Sequence, residues 1–166
     1  MDNSTILENV CKHINSNVSF KQDRSYANTW LELGYSDQKV DERVRQIYSD
    51  FLHNPAYGCA LQMAEDELVF YDTGNIDVRT EGQSYGMLLA VMLDDKTVFD
   101  NTWRWTIRNM YINEGYHRGY FAWSVPLDER PKATGPAPDG EEFFIWSLIL
   151  AYKKWGSGEG ELDYKT

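Results

Sequence analysis

A chain of 166 residues has room for one domain. Its 42% apolar and 25% charged residues describe a globular protein rather than a disordered one. A net charge of −10, from 16 basic against 26 acidic side chains, excludes the basic face that nucleic acid or anionic lipid would need.

The chain opens Met1-Asp2-Asn3-Ser4-Thr5, without the basic start and apolar stretch of a secretory signal. A cytoplasmic protein is the expectation. Residues 1–24 read as a leader or peripheral helix, with Ile6, Val10 and Ile14 at helical spacing. The spacing of Val40, Val44, Ile47, Tyr48 and Phe51 predicts an amphipathic helix over 36–52. Pro55 and Gly58 mark 53–67 as a loop. Leu68, Val69, Phe70 and Tyr71 form a short strand, followed by a turn at Asp72-Thr73-Gly74-Asn75.

The next helix is expected over 80–93, with Thr80 and Gln83 in a capping box. It is apolar nearly all round and must be enclosed by other elements. Its longest unbroken apolar run, Met87 to Leu93, is seven residues, against the roughly 20 that span a bilayer. No membrane segment is expected. A second amphipathic helix covers 97–110, with Phe99, Trp103, Ile107 and Met110 on one face. Residues 120–123 read as extended. Pro126, Pro131, Pro136 and Pro138 mark 126–138 as a long loop. The last helix, 139–155, is again apolar on most sides and is stopped by Gly156. Residues 157–166 form a polar tail, expected to be mobile.

Amphipathic helices thus alternate with helices that are apolar all round. That pattern suits an inner ring of helices covered by an outer one, so the fold reads as mainly α. Strand signals are too few for a sandwich or a β-barrel. Cys11 and Cys59 provide neither a disulfide framework nor metal-ligand spacing, and the three histidines are scattered. No metal or cofactor is expected. The 6 Trp, 11 Tyr and 7 Phe suit either core packing or a cleft that stacks sugar rings.

Two acidic clusters fall at the starts of the all-apolar helices. One is Asp77-Val78-Arg79-Thr80-Glu81-Gly82-Gln83-Ser84-Tyr85-Gly86-Met87. The other is Gly135-Pro136-Ala137-Pro138-Asp139-Gly140-Glu141-Glu142. If the two helices are parallel, Glu81 and Asp139 face one cleft. Capping is the competing explanation for both, because Asp139 with Glu142 also fits a capping box and first-turn acids favour the helix dipole. Gly82, Gly86 and Gly140 would remove bulk around the carboxyls. A glycine inside a helix costs about 1 kcal/mol relative to alanine, so Gly86 needs a packing or ligand reason. The dipole suits Asp139 as a fixed negative charge. Glu81 can hold the proton of a general acid only if burial and a like-charged neighbour, Asp139 or Asp77, outweigh the dipole. Arg79 should point elsewhere, toward Asp77 or Asp72.

These two clusters, with Gly119-Tyr120-Phe121-Ala122-Trp123 between them, resemble glycoside hydrolase family 8 over roughly residues 25–156. The likeness is greatest to its xylan-acting branch, above all to the members that release xylose from the reducing end of xylo-oligosaccharides. The resemblance implies an (α/α)6 barrel with its cleft at the N-terminal ends of the inner helices. It implies hydrolysis of β-1,4-linked sugars with inversion and no cofactor. By motif position, Glu81 looks like the general acid and Asp139 like the acid that binds and distorts the sugar. Trp123 looks like a stacking platform, although a core role is the plainer alternative for it. Tyr120, Tyr85 and Arg79 are further candidates for binding substrate.

The family's water-activating base has no counterpart among residues 139–166. It is expected on a segment beyond this chain, which would then hold only about the first half of a barrel. Such a piece should expose apolar inner-helix faces and could self-associate through them. An endo-xylanase, a β-glucanase or chitosanase of the same family, and a non-catalytic carbohydrate-binding fragment are the alternative functions.

Overall fold

The structure is a computed structural model that describes residues 28–165. The spacing at Ile6, Val10 and Ile14 lies outside them. A short helix α1 (Thr29–Glu32) leads to α2 (Asp37–His53). Ser36 caps α2 by accepting the Lys39 N–H at 3.3 Å. The amphipathic stripe is present, but no residue of α2 is buried. Val44, Ile47 and Phe51 stay 40–44% exposed. The helix rests on strand β1 (Ala60–Ala64), and the Tyr48 hydroxyl donates to Asp95 at 3.2 Å.

Residues 53–67 are not wholly a loop. They contain β1 and the start of β2 (Glu67–Asp72), which pair antiparallel with a bulge between Gln62 and Ala64. Strands β3 (Asp77–Arg79) and β4 (Ser124–Pro126) complete a four-stranded antiparallel sheet in the order β1-β2-β3-β4. Strands of three residues are too short to show a period. In β2, Leu68, Val69 and Phe70 are buried in succession, so no alternation marks the strand. The expected turn follows β2, where Asp72 Oδ1 accepts the N–H groups of Gly74 and Asn75.

Helix α3 (Thr80–Leu93) has the expected bounds but not the expected cap. The chain runs from β3 straight into the helix, making Thr80 its first residue. The Thr80 N–H donates to the Trp123 carbonyl at 3.0 Å. Gln83 points into the core, where its carbonyl accepts the Phe70 N–H at 2.7 Å and its amide donates to Thr106 Oγ1 at 3.0 Å. Asp94, left-handed at φ 68°, ends α3, and Asp95 caps α4 (Lys96–Asn109) by accepting the Val98 N–H. The Gln83–Thr106 bond and this short turn make α3 and α4 antiparallel.

Helix α5 (Pro138–Trp155) begins one residue earlier than predicted. Proline at its first position supplies helical φ and needs no N–H partner. Asp139 is therefore a second-position residue, and no side chain caps this end, so the capping box with Glu142 does not form. Gly156, at φ 79°, follows the helix as expected. Partners climb α3 and α5 in the same direction. Gly140 abuts Thr80, Ser147 Oγ donates to the Ser84 carbonyl at 3.3 Å, and Lys154 Nζ to that of Val91 at 2.9 Å. The two helices are parallel.

Their shared side is buried with Val69, Val78, Phe99, Trp103 and Phe121 in one core. Enclosure is incomplete, because Tyr85, Leu89, Met92, Ile145 and Trp146 are all exposed. The tail is not free over residues 157–165. A 3-10 turn (Gly160–Leu162) folds it back, and Tyr164 is buried edge-on against Phe99. The Tyr164 hydroxyl is hydrogen-bonded to Asp100 and lies 2.9 Å from Lys96 Nζ. Among the described residues, no helix is long and apolar enough to cross a membrane.

Candidate active site

Glu81 and Asp139 hold the same position in their helices, the second residue of α3 and of α5. Because these helices are parallel and touch at their starts, the two acids lie at one end of the pair. The contact is close. A Cβ added at Gly140 would fall 2.4 Å from both Thr80 Cβ and Thr80 Oγ1. Glu81 is half-buried and accepts the Thr80 hydroxyl at 3.2 Å, whereas Asp139 is exposed.

The glycines serve packing rather than ligand space. A Cβ at Gly86 would sit 2.1 Å from the Phe70 ring, and one at Gly82 would sit 3.1 Å from the Phe70 carbonyl. Strand β2 lies flush on α3 only because both residues lack side chains.

Arg79 points where expected, and to both candidates. Its Nε donates to Asp77 Oδ1 at 3.1 Å, and its Nη2 reaches Asp72 Oδ2 at 3.2 Å. Asp77 is buried and also accepts the Ser124 hydroxyl at 2.6 Å. Hydrogen bonds from the Asn75 side chain, then from the Asn75 and Gly74 N–H groups, hold the Asp72 carboxyl below the usual range, and Arg79 adds to them. The Arg79 guanidinium also stands 5.6 Å from the Trp123 ring centre.

Trp123 is 40% exposed, Tyr120 52% and Tyr85 43%, so all three keep open ring surface. Tyr85 follows Glu81 by one helical turn and meets Phe143 edge-on at 4.8 Å. A cavity of about 390 Å³ brings Arg79, Glu81 and Tyr85 together with Phe51, Phe70 and Leu89. Asp139, Tyr120 and Trp123 are not in its wall. Cys59 is in that wall, and burial pushes its thiol up. Among the described residues, no three His, Cys, Asp or Glu side chains converge as a metal site would require.

One carboxyl escaped the sequence reading. Glu141 accepts the Phe121 N–H at 2.8 Å, and burial pushes its carboxyl above the usual range. The only signal for it was a second acid within the first turns of α5.

Residues 63–165 match the family model for glycosyl hydrolases of family 8. The chain belongs to that family. It is 47% identical over 137 residues to a reducing end xylose-releasing exo-oligoxylanase of Halalkalibacterium halodurans, covering 82% of this chain and 35% of that one. A crystal structure of a reducing-end-xylose releasing exo-oligoxylanase complexed with xylose is similar, with a TM-score of 0.79 at 46% identity. That likeness covers 84% of this chain and 38% of the other. An endoglucanase of Ruminiclostridium josui is 34% identical over 95 residues, or 55% of this chain and 19% of that one. The chain thus spans little more than a third of the exo-oligoxylanases it matches.

Proposed function

We propose that this family 8 chain carries the general-acid side of an inverting glycosidase site. Its substrate is a β-1,4-linked xylo-oligosaccharide, cleaved to release xylose from the reducing end. The carrying observation is the contact of Thr80 with Gly140, which brings Glu81 and Asp139 to one end of two parallel helices. The names of the relatives support xylose as the sugar.

In this reading the Glu81 carboxyl passes its proton to the glycosidic oxygen as the bond from that oxygen to the anomeric carbon breaks. Water enters from the opposite face and gives its proton to a second carboxylate, about 6.5–9.5 Å from the acid in inverting enzymes. No residue of this chain is assigned as that base. Asp139, at the start of α5, holds sugar hydroxyls and the developing positive charge. Trp123, with Tyr120 and Tyr85, offers faces for sugar rings, and Arg79 stands over the Trp123 ring and shares a cavity wall with Glu81. Helices α3 and α5 would be inner helices of an (α/α)6 barrel, with the cleft at their N-terminal ends.

Proton NMR of the purified chain with xylotriose tests the reading. Binding is expected, and any newly formed reducing end should appear in the α configuration. Glu81→Gln should keep affinity and, where the chain turns xylotriose over, lower that turnover by about 10²–10⁴-fold. Binding without turnover is what the acid side gives in the absence of its base. No binding, or turnover that survives Glu81→Gln, would sink the proposal.

A further inference from the structure

Glu141 has no part in the site as described, yet its surroundings are specific. The other acids of the first turns, Asp139 and Glu142, are exposed. Glu141 is half-buried, and its carboxylate reaches across 20 residues of sequence to the Phe121 N–H at 2.8 Å. A first-turn acid that served only the helix dipole would stay in solvent like its neighbours, because burying a charge costs free energy.

The strip it holds is clamped from several sides. The Ala122 N–H donates to the Met110 carbonyl at 2.7 Å, and the Trp123 N–H to that of Gly135 at 3.0 Å. The Trp123 carbonyl accepts the Thr80 N–H, one residue from Glu81. Phe121 itself is buried between Trp103 and Phe144. Three successive amides, 121 to 123, are thus tied to three different parts of the chain. Only the first tie is made by a side chain, so only that one can be altered without changing the backbone.

We propose that Glu141 is a positioning residue that fixes strip 120–123 against the paired helix starts and so sets the place of Trp123, whose carbonyl holds the first amide of α3. The inference rests on the sugar site proposed above. Glutamine keeps an acceptor oxygen at the same reach, and leucine fills similar volume without one. A carboxylate acting through its acceptor is therefore separable from one that merely fills space.

The test compares the Glu141→Leu and Glu141→Gln chains with the wild type. Phe121 amide exchange is followed by NMR, and xylotriose affinity by titration of tryptophan fluorescence. In Glu141→Leu, Phe121 exchange should quicken and xylotriose affinity should fall, each about tenfold, as for loss of one hydrogen bond to a charged group. Glu141→Gln should stay within about twofold of wild type on both, since it keeps the acceptor. Glu141→Ala gives the same comparison if the leucine chain does not fold. Unchanged Phe121 exchange in the leucine or alanine chain overturns the positioning role, as does equal loss in the glutamine chain. A wild type that does not bind xylotriose overturns instead the proposed function and the sugar part of this inference.

Discussion

Gly140→Ala is the sharpest probe of the contact that pairs the two helix starts. The added methyl carbon would lie 2.4 Å from Thr80 Cβ and 2.9 Å from the Thr80 carbonyl carbon. Ordinary contact begins near 3.4 Å, so the helices must part by about 1 Å. Rotating Thr80 does not help, because its Cβ and backbone are themselves in the way. Alanine favours the helix by up to about 1 kcal/mol over glycine. Overpacking a buried contact costs about 1–3 kcal/mol. The net expectation is a loss of about 1–2 kcal/mol, or roughly 2–4 °C in Tm for each kcal/mol. Thermal unfolding followed by far-UV circular dichroism reads it directly. Gly82→Ala supplies the comparison, since its nearest atom is at 3.1 Å and it should cost less. A Gly140→Ala chain as stable as wild type, or more so, would refute the close pairing of α3 with α5, which puts Glu81 and Asp139 at one end of the pair.

Gly86→Ala should destabilise the chain by about 1–3 kcal/mol in urea unfolding, because the methyl would overlap the Phe70 ring. Tyr164→Ala should cost about 3 kcal/mol by the same assay, and a loss below about 1 kcal/mol would contradict the packed position of residues 157–165. Trp123→Ala should weaken xylotriose binding about tenfold while costing less stability than Trp103→Ala, since Trp103 is buried. Burial raises the Glu141 carboxyl, so over part of the pH range the native state keeps a proton that the unfolded chain has lost. The contribution of this group to stability therefore falls as pH rises from the usual carboxylate range through the raised folded value. Glu141→Gln should remove that fall, so its stability relative to wild type should rise from pH 4 to pH 7; a constant difference would contradict the burial.

Helix bounds were legible because local chemistry sets them. Ser36 caps α2, Gly156 follows α5, and the stripe through Phe99 and Trp103 marks α4. Three of the four strands were not legible, since two span three residues and β1 shows mostly exposed side chains. The Thr80–Gln83 capping box misled for a simple reason. A threonine–glutamine pair fits a cap equally well when the threonine is the first helical residue and the glutamine is drawn into the core by Phe70 and Thr106. The Arg79 partners were legible, because both aspartates stand shortly before it in sequence and leave its side chain short paths to either.

The sequence by itself determined where the four longer helices run and which acids stand at the starts of α3 and α5, because caps, prolines and apolar spacing act within a few residues; the short α1 was not legible. It also carried the motifs that mark family 8. Whether Glu81 and Asp139 share one end of the helix pair depends on α3 and α5 being parallel and on Gly140 seating against Thr80, contacts between residues far apart in sequence. The reach of Glu141 to Phe121 is of the same kind. Only tertiary packing decides such pairings, because nothing in either local segment encodes the distance to the other.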